Sequence, residues 1–401
     1  MSERDAHIPA EVISYLLTFL PVKSLLRFKC VSKPWLALID SPDFIKNHIS
    51  RSLKTKRNLT LILGYASSIY TADFDSFQDD VAYPTKLTPP LSPSIDMPIL
   101  VLGSCNGLLF LSTTLEDSII WNPSTRKHQK LPPTSIEYPC GRFVWHSETG
   151  FGYDSVHDDY KVVRVTQFHL GWEDDFFQNE VKVYSLNSNQ WRKIQDCPYF
   201  IRYLKLGGTF AGDALHWIAG NSPRLGTANQ VAAFDIRSEE WHLLPLPKTL
   251  AGDFFMNLVV LGECIGLFCN YYRYHVDFWV MKEYGVRESW IKICSVVQPT
   301  HIQSFEQVKP IGYSNDGKQV LLEQNSSCLL WFDLQEKSVK SVRIHGGPKF
   351  FNTDVCLASL VKLPYSDVQQ VHQKKKTQDR GNPKAGPKRD DFLSSGFKLV
   401  L

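Results

Sequence analysis

The familiar marks of catalysis are missing from this chain of 401 residues. It has no Gly-x-Ser-x-Gly elbow, no Gly-x-x-x-x-Gly-Lys-Ser/Thr phosphate loop and no His-Glu-x-x-His pair, so the commonest signatures of serine hydrolases, P-loop proteins and zinc peptidases are excluded. No apolar run approaches the roughly 18 to 20 residues that a membrane helix requires, and no signal peptide is expected ahead of the first motif. The nine Cys are odd in number, scattered and without a Cys-x-x-Cys pair, which reads as buried thiols in a reducing compartment, not a disulfide frame. Surplus positive charge is also lacking where it would matter. The formal charge is +3, but residues 366–401 hold eight Lys or Arg against four Asp, a net of +4, which leaves about −1 for all the rest. The body therefore has no electrostatic footprint for nucleic acid.

What is present is a globular composition rich in rings. Hydrophobic residues make up 43%, with ten Trp, sixteen Tyr and twenty-four Phe, an excess more typical of sheets than of helical bundles. The length exceeds one typical domain. Three segments are expected: a helical module over 1–50, an all-β body over 53–362 and a disordered basic tail over 366–401. The tail is rich in Lys, Gly and Pro. Within it Lys374-Lys375-Lys376 has the composition of a nuclear import signal, with a merely solvated run as the plainer reading.

The first fifty residues carry helix periodicity. Apolar residues at 9, 12, 13, 16, 17 and 20 follow the 3.6-residue period, and Pro9 suits a first helical turn, where its missing N–H costs nothing. Pro21 stops this helix and restarts the chain, and Val22, Leu25, Leu26 and Phe28 make a second, with more apolar residues than one face holds. Ser32 caps a third piece with Trp35, Leu36 and Ile39, and Ser41-Pro42 opens a fourth with Phe44, Ile45 and Ile49. So small a module cannot bury all of this surface by itself. Either the helices pack on the following domain or they keep a face for a partner.

The run Leu20-Pro21-Val22-Lys23-Ser24-Leu25-Leu26-Arg27-Phe28, with Cys30-Val31-Ser32-Lys33 and Trp35, resembles the F-box, and the resemblance covers 8 to about 49. Ile8 stands where that family usually has Leu, a swap that conserves volume. The resemblance implies a docking surface for the Skp adaptor of a Skp-Cullin-F-box ubiquitin ligase, and through it for the Cullin and RING subunits. Carried over residue by residue, Pro9, Leu16, Leu20, Pro21, Leu25, Leu26, Val31 and Trp35 form or support that surface, with Ile8 at its edge.

From Leu53 to Lys362 the chain reads as short strands separated by Gly, Pro, Asn, Asp and Ser. A unit recurs in which a strand ends on an aromatic residue, turns through polar residues and resumes on Trp or a basic residue. It is clearest around Tyr184 with Trp191 and Phe234 with Trp241, seven residues apart in each case. Looser copies surround Trp121, Trp279 with Trp290, and Trp331. Anchors at 121, 184, 234, 279 and 331 are spaced by 63, 50, 45 and 52 residues, a period of propeller blades of the kelch kind. A second hairpin precedes most anchors, with Asn106-Gly107 and Gly212-Asp213 at tight turns that need positive φ. Five anchored units, with strand-like material at 58–65 and 355–361, predict about six blades closed by pairing the first and last segments. A twisted two-sheet sandwich is the alternative. The fold class is thus α+β multidomain.

Further residues carry a second resemblance: Ser104-Cys105-Asn106-Gly107-Leu108, Trp121-Asn122-Pro123-Ser124-Thr125-Arg126 with Leu131-Pro132, Phe151-Gly152-Tyr153-Asp154, Asp159-Tyr160-Lys161-Val162-Val163 and Val183-Tyr184-Ser185. Over about 100–345 the chain is similar to the F-box-associated domain of plant-type proteins, itself akin in architecture to kelch-containing F-box proteins. The resemblance implies binding of the proteins that the ligase ubiquitinates.

Chemistry of the body's own is weighed at two places. Asp154, His157, Asp158 and Asp159 combine carboxylates with a His, as acid–base or metal work requires, yet they fall in a turn, where Asp is favoured for bonding nearby backbone. Cys264, Cys269 and His275 do not have structural-zinc spacing and read as buried Cys on neighbouring strands. No metal, cofactor or catalytic residue is expected. Target contacts are expected on loops of one propeller face: Trp172, Glu173, Asp174, Asp175 and Phe176 within 168–177, and Tyr271, Tyr272, Arg273, Tyr274 and His275, since Tyr, Trp and Arg dominate interface hot spots. The Pro-rich stretch from Asp73 to Pro98 is a third candidate or a flexible inter-blade loop. The reading is a cytoplasmic or nuclear substrate-recruiting subunit, binding neither nucleic acid nor membrane. The alternative is a propeller enzyme or sugar-binding lectin with a vestigial F-box.

Overall fold

The structure is a computed structural model that describes residues 9–364, apart from 80, 92–96, 115, 140, 170–176, 203–206, 221–229, 251, 253, 272, 273, 299 and 303. Four helices open it: α1 (Ala10–Leu17), α2 (Val22–Phe28), α3 (Lys33–Ile39) and α4 (Pro42–Thr55). Local chemistry sets their ends. Pro9 and Pro21 precede α1 and α2 in extended conformation, Ser32 Oγ accepts from the N–H of Trp35, and Ser41 Oγ accepts from that of Phe44, both at 3.3 Å. α1 ends at Leu17, a turn sooner than its apolar stripe suggests. α4 closes on Lys56 in the left-handed region, and Asn58, also at positive φ, donates from Nδ2 to Ser52 Oγ at 2.9 Å as the chain turns into its first strand.

Among the described residues the strands form six sheets, antiparallel throughout except for one short parallel edge strand. Blade 1 is built from Leu100–Cys105, Leu108–Ser112, Ser118–Asn122 and Lys127–Lys130. Blade 2 is longer, with Phe143–Asp154, Asp159–His169, Phe177–Ser185 and Gln190–Lys193. Blade 3 places Ala214–Gly220, Gln230–Asp235 and Trp241–Leu244 beside the short inner pieces Thr209–Ala211 and Phe200–Ile201. Blade 4 is Phe255–Leu261, Cys264–Tyr271, His275–Met281 and Trp290–Val297, and blade 5 is Val308–Tyr313, Gln319–Gln324, Cys328–Asp333 and Val339–Ile344. Blade 6 joins the two ends of the chain. Its inner strand Asn352–Leu357 pairs with Leu59–Tyr65, in register Leu59 to Leu357 and Leu61 to Val355, and Ser68–Asp73 and Thr85–Leu87 follow. The inner strands contact one another in sequence and return from blade 6 to blade 1, a closed ring that no open two-sheet sandwich forms.

The recurring sequence unit is the outer hairpin of blades 1 to 5. Its anchors face each other across the ladder where Tyr184 pairs with Trp191 and Phe234 with Trp241, and Trp121 pairs with His128, whereas in blade 4 Trp279 lies opposite Lys292 and Trp290 opposite Met281. Asp73 to Pro98 departs from the flexible-loop expectation. Phe74 and Phe77 are buried, Trp331 Nε1 donates to the Phe77 carbonyl at 2.8 Å, and Val81–Ala82 adds a parallel strand to the outer edge of blade 5. Burial of two rings fastens this stretch between blades 5 and 6.

In a four-stranded meander the 1–2 and 3–4 turns lie on one face of the propeller, and the 2–3 turns and blade-to-blade connections on the other. The free ends at Leu59 and Leu357 lie on the first face, so the helices and the segment 358–364 meet there. They share one core: Leu17, Val22, Leu25, Ile39, Phe44 and Ile45 of the helices belong to the same buried cluster as Leu108, Phe151 and Tyr184 of the blades and Leu360, Val361 and Leu363 of the exit segment. Fully buried Asn122 ties that segment down, its Nδ2 donating to the Ser359 and Val361 carbonyls at 3.2 and 2.9 Å while its Oδ1 accepts from the N–H of Ser124 at 2.9 Å. Lys46 adds an ion pair at 2.7 Å to Asp158, in the 1–2 turn of blade 2.

Candidate functional site

The apolar surface of the helices divides into buried and exposed parts. One face packs on the propeller as just described. Val12, Tyr15, Leu16, Phe19, Val31 and Leu36 stay exposed, and the Tyr15 and Phe19 rings meet edge to face with centroids 5.1 Å apart. Of the residues carried over by resemblance, Pro9, Leu16, Pro21 and Val31 are exposed, and Leu20, Leu26 and Trp35 are half-buried against the core. Leu25 is completely buried and so supports this surface from beneath. Ile8 lies outside the described residues.

Two buried or clamped side chains on α4 hold α1 in place. His48 lies under the α1–α2 turn with Nε2 donating to the Leu20 carbonyl at 2.9 Å, and burial holds its pKa below the ordinary imidazole value. Arg51 stacks on the Phe19 ring with 3.3 Å between the guanidinium carbon and the ring centre, and donates to Thr18 Oγ1 at 3.0 Å and Tyr15 Oη at 3.3 Å. Sequence reading passed over Tyr15, Phe19 and Arg51. The 12, 15, 16, 19 spacing is itself a helical stripe, lying beside the stripe that the periodicity picked out.

The target candidates divide between described and undescribed residues. Trp172, Glu173, Asp174, Asp175 and Phe176, with Tyr272 and Arg273, lie outside the described residues. Phe168, His169 and Phe177 are strand residues of blade 2, with Phe168 fully buried, so the segment from 168 to 177 is not loop throughout. Tyr271 and His275 are cross-strand partners at the tip of the blade 4 hairpin, stacked with centroids 4.3 Å apart, and Tyr274 between them is 74% exposed. Tyr65, Tyr138, Phe143, Phe255 and Phe350 are exposed on the same face, each in a 2–3 turn, a blade connection or the strand end adjoining one. That face is thus studded with rings.

The acid cluster of blade 2 works as a staple. Asp154 is fully buried and both its oxygens are committed: Oδ1 accepts from the N–H groups of Val156 and His157 at 3.0 Å, and Oδ2 from His157 Nδ1 and Lys161 Nζ at 2.7 Å. Desolvation pushes its pKa up, but bonds from Lys161 and His157 outweigh it and hold the carboxylate at about 2. Lys161 reaches on to the Ile236 carbonyl at 3.0 Å and to Glu239 at 3.1 Å, which joins blade 2 to blade 3. A carboxylate so occupied has no lone pair turned to a substrate. Cys264 and Cys269 share one strand, not neighbouring strands, and Cys264 is only half-buried. Among the described residues no three His, Cys, Asp or Glu side chains gather as a metal site would require, and no helix is long and apolar enough to cross a membrane.

The F-box domain family matches residues 6–47, and the F-box associated beta propeller domain family matches 74–370. The chain is a plant-type F-box protein. F-box protein CPR1 of Arabidopsis thaliana is 38% identical over 99% of this chain and 100% of its own length. F-box protein At4g22390 of the same plant is 32% identical over the same shares, and its F-box/kelch-repeat protein At3g23880 is 30% identical over 81% of this chain and 87% of its own. An oligogalacturonate lyase from Vibrio parahaemolyticus superposes with a TM-score of 0.42 and 9% identity over 72% of this chain and 80% of its own, too loose a likeness to bear on function. Membership gives physical content to the family's motifs in this F-box protein. Trp121-Asn122-Pro123-Ser124 anchors the exit segment, and Asp154 with Lys161 staples two blades.

Proposed function

We propose that this F-box protein is the substrate-recruiting subunit of a Skp-Cullin-F-box ubiquitin ligase, acting in the cytoplasm or nucleus without chemistry of its own. The helices dock on a Skp-type adaptor through Pro9, Leu16, Pro21 and Val31, supported by Leu20, Leu25, Leu26 and Trp35, and the adaptor brings Cullin and RING subunits. A target protein docks on the opposite face of the propeller, at the 2–3 hairpin tip of blade 4 with Tyr271, Tyr274 and His275. The observation that carries this reading is the arrangement of two exposed apolar surfaces on opposite faces of one body whose helices and blades share a core. Holding target and ubiquitin carrier at a set distance raises effective concentration, which is how a scaffold accelerates transfer.

The test is co-purification with a Skp adaptor. Leu16→Asp with Val31→Asp changes only exposed residues, so binding is lost while the propeller's unfolding transition stays in place. Leu20→Asp with Leu26→Asp is the poorer probe, because both side chains also pack on the core.

A further inference from the structure

Between blades 1 and 2 lies a cavity of about 180 Å³. Leu100, Leu102, Phe110 and Trp191 give it a mostly apolar wall, and Thr114 and Ser118 border it at the 2–3 turn of blade 1, on the face turned away from the helices. We infer that this cavity binds a small monocarboxylate with an apolar body.

Size and wall set the apolar part. An apolar cavity of about 150 Å³ accepts benzene, so a ring or a branched chain of similar bulk fits here. The polar groups set the rest. Arg164 lines the cavity and is 2% exposed. Its Nη1 and Nη2 donate to the Thr134 and Ser135 carbonyls at 3.4 and 3.2 Å, Glu180 stands 3.9 Å away, and its Nε–H has no acceptor. Glu148 is equally buried, and its Oε1 has no partner. Burial raises its pKa to about 8, so at neutral pH it carries a proton to donate. Thr114 Oγ1 already accepts from the N–H groups of Glu116 and Asp117, which leaves it only a hydrogen to offer. Ser112 and Thr113 spend their hydroxyl hydrogens on the Thr114 carbonyl and on Asp117, so the free donors of the lining are the Arg164 Nε–H, the Glu148 carboxyl and the Thr114 hydroxyl. Three donors that include a cation call for an acceptor of negative charge. The apolar wall disfavours a second charge on the occupant, which sets a carboxylate apart from a phosphate dianion.

The site stands independently of the ligase reading, and its test needs no adaptor. The full chain is titrated with benzoate, with benzamide as the neutral isostere and with inorganic phosphate, following Trp fluorescence and calorimetric heat. The expected result is saturable benzoate binding with Kd on the order of 1 mM, at least tenfold weaker binding of benzamide, and none of phosphate. Ser118→Leu, which fills the cavity, and Thr114→Val, which removes a donor, weaken benzoate binding while thermal unfolding confirms an intact fold. The inference is overturned if benzoate does not bind the folded chain, if benzamide or phosphate binds as well as benzoate, or if neither substitution changes benzoate affinity.

Discussion

The indole N–H of Trp191 donates to the carbonyl of Pro132 at 2.9 Å, from the outer strand of blade 2 to the segment leaving blade 1. Trp290 repeats the relation with Pro245 two blades on, at 2.7 Å. In both places a Leu-Pro pair ends the preceding blade, at Leu131-Pro132 and Leu244-Pro245. Before Trp241 the corresponding pair is Ile194-Gln195, and the Trp241 indole nitrogen is buried without a partner.

Trp191→Phe therefore leaves a carbonyl unsatisfied and costs about 1–3 kcal/mol, measured by denaturant unfolding. Trp241→Phe removes a donor that has no acceptor and costs less, despite the same chemical change. Equal losses at the two positions would contradict the latch.

Gly107 sits at φ +83 in the first hairpin turn of blade 1, and a Cβ there would lie 2.3 Å from Ser359 Oγ and 2.5 Å from the Leu357 carbonyl oxygen. Gly107→Ala combines backbone strain with a clash against the exit segment. We expect a loss of at least about 2 kcal/mol, and protease sensitivity that rises first near 358–364. Wild-type stability would show that the segment is not held there.

The Glu148 carboxyl, raised by burial to about 8, gives a specific pH signature. Its folded-state value lies above its unfolded value, so its contribution is full below about 4.5 and is lost as pH rises through about 8. Glu148→Gln keeps the shape and removes the titration. The variant should gain on wild type by a few kcal/mol between pH 5 and pH 9. A constant difference across that range would show that Glu148 is already ionised when folded.

Asp154 carries the opposite sign. Its value is depressed to about 2, so the stability it supplies is present above its ordinary 3.8 and lost as pH falls through about 2. Lys161→Met removes the partner beneath it. Acid unfolding of this variant should begin at higher pH than in wild type, by up to about one unit. An unshifted acid limb would assign the depression to the turn's backbone N–H groups alone.

Much of the fold was legible because its signals are local. Ser32 and Ser41 announce helix starts, Asn106-Gly107 a turn, and Tyr184 with Trp191 a ladder pair at fixed separation. Closure was legible too, since strand-like residues remained at both ends with no other partner. The segment from Asp73 to Pro98 misled because Pro and acid outweighed Phe74 and Phe77, whose burial depends on Trp331, more than 250 residues away. The candidate site was legible where a stripe has a period, at Leu16 and Leu20. Arg51 was invisible because its meaning lies in Phe19, one helix hairpin distant, and no spacing rule joins them.

The most direct measurement is the stoichiometry of the full chain purified with a Skp adaptor, wild type beside the Leu16→Asp and Val31→Asp double variant. One adaptor per chain, lost in the variant while the propeller unfolds at its usual temperature, is the expected result. A wild-type chain that binds no adaptor, or a variant that binds as well as wild type, would contradict the account.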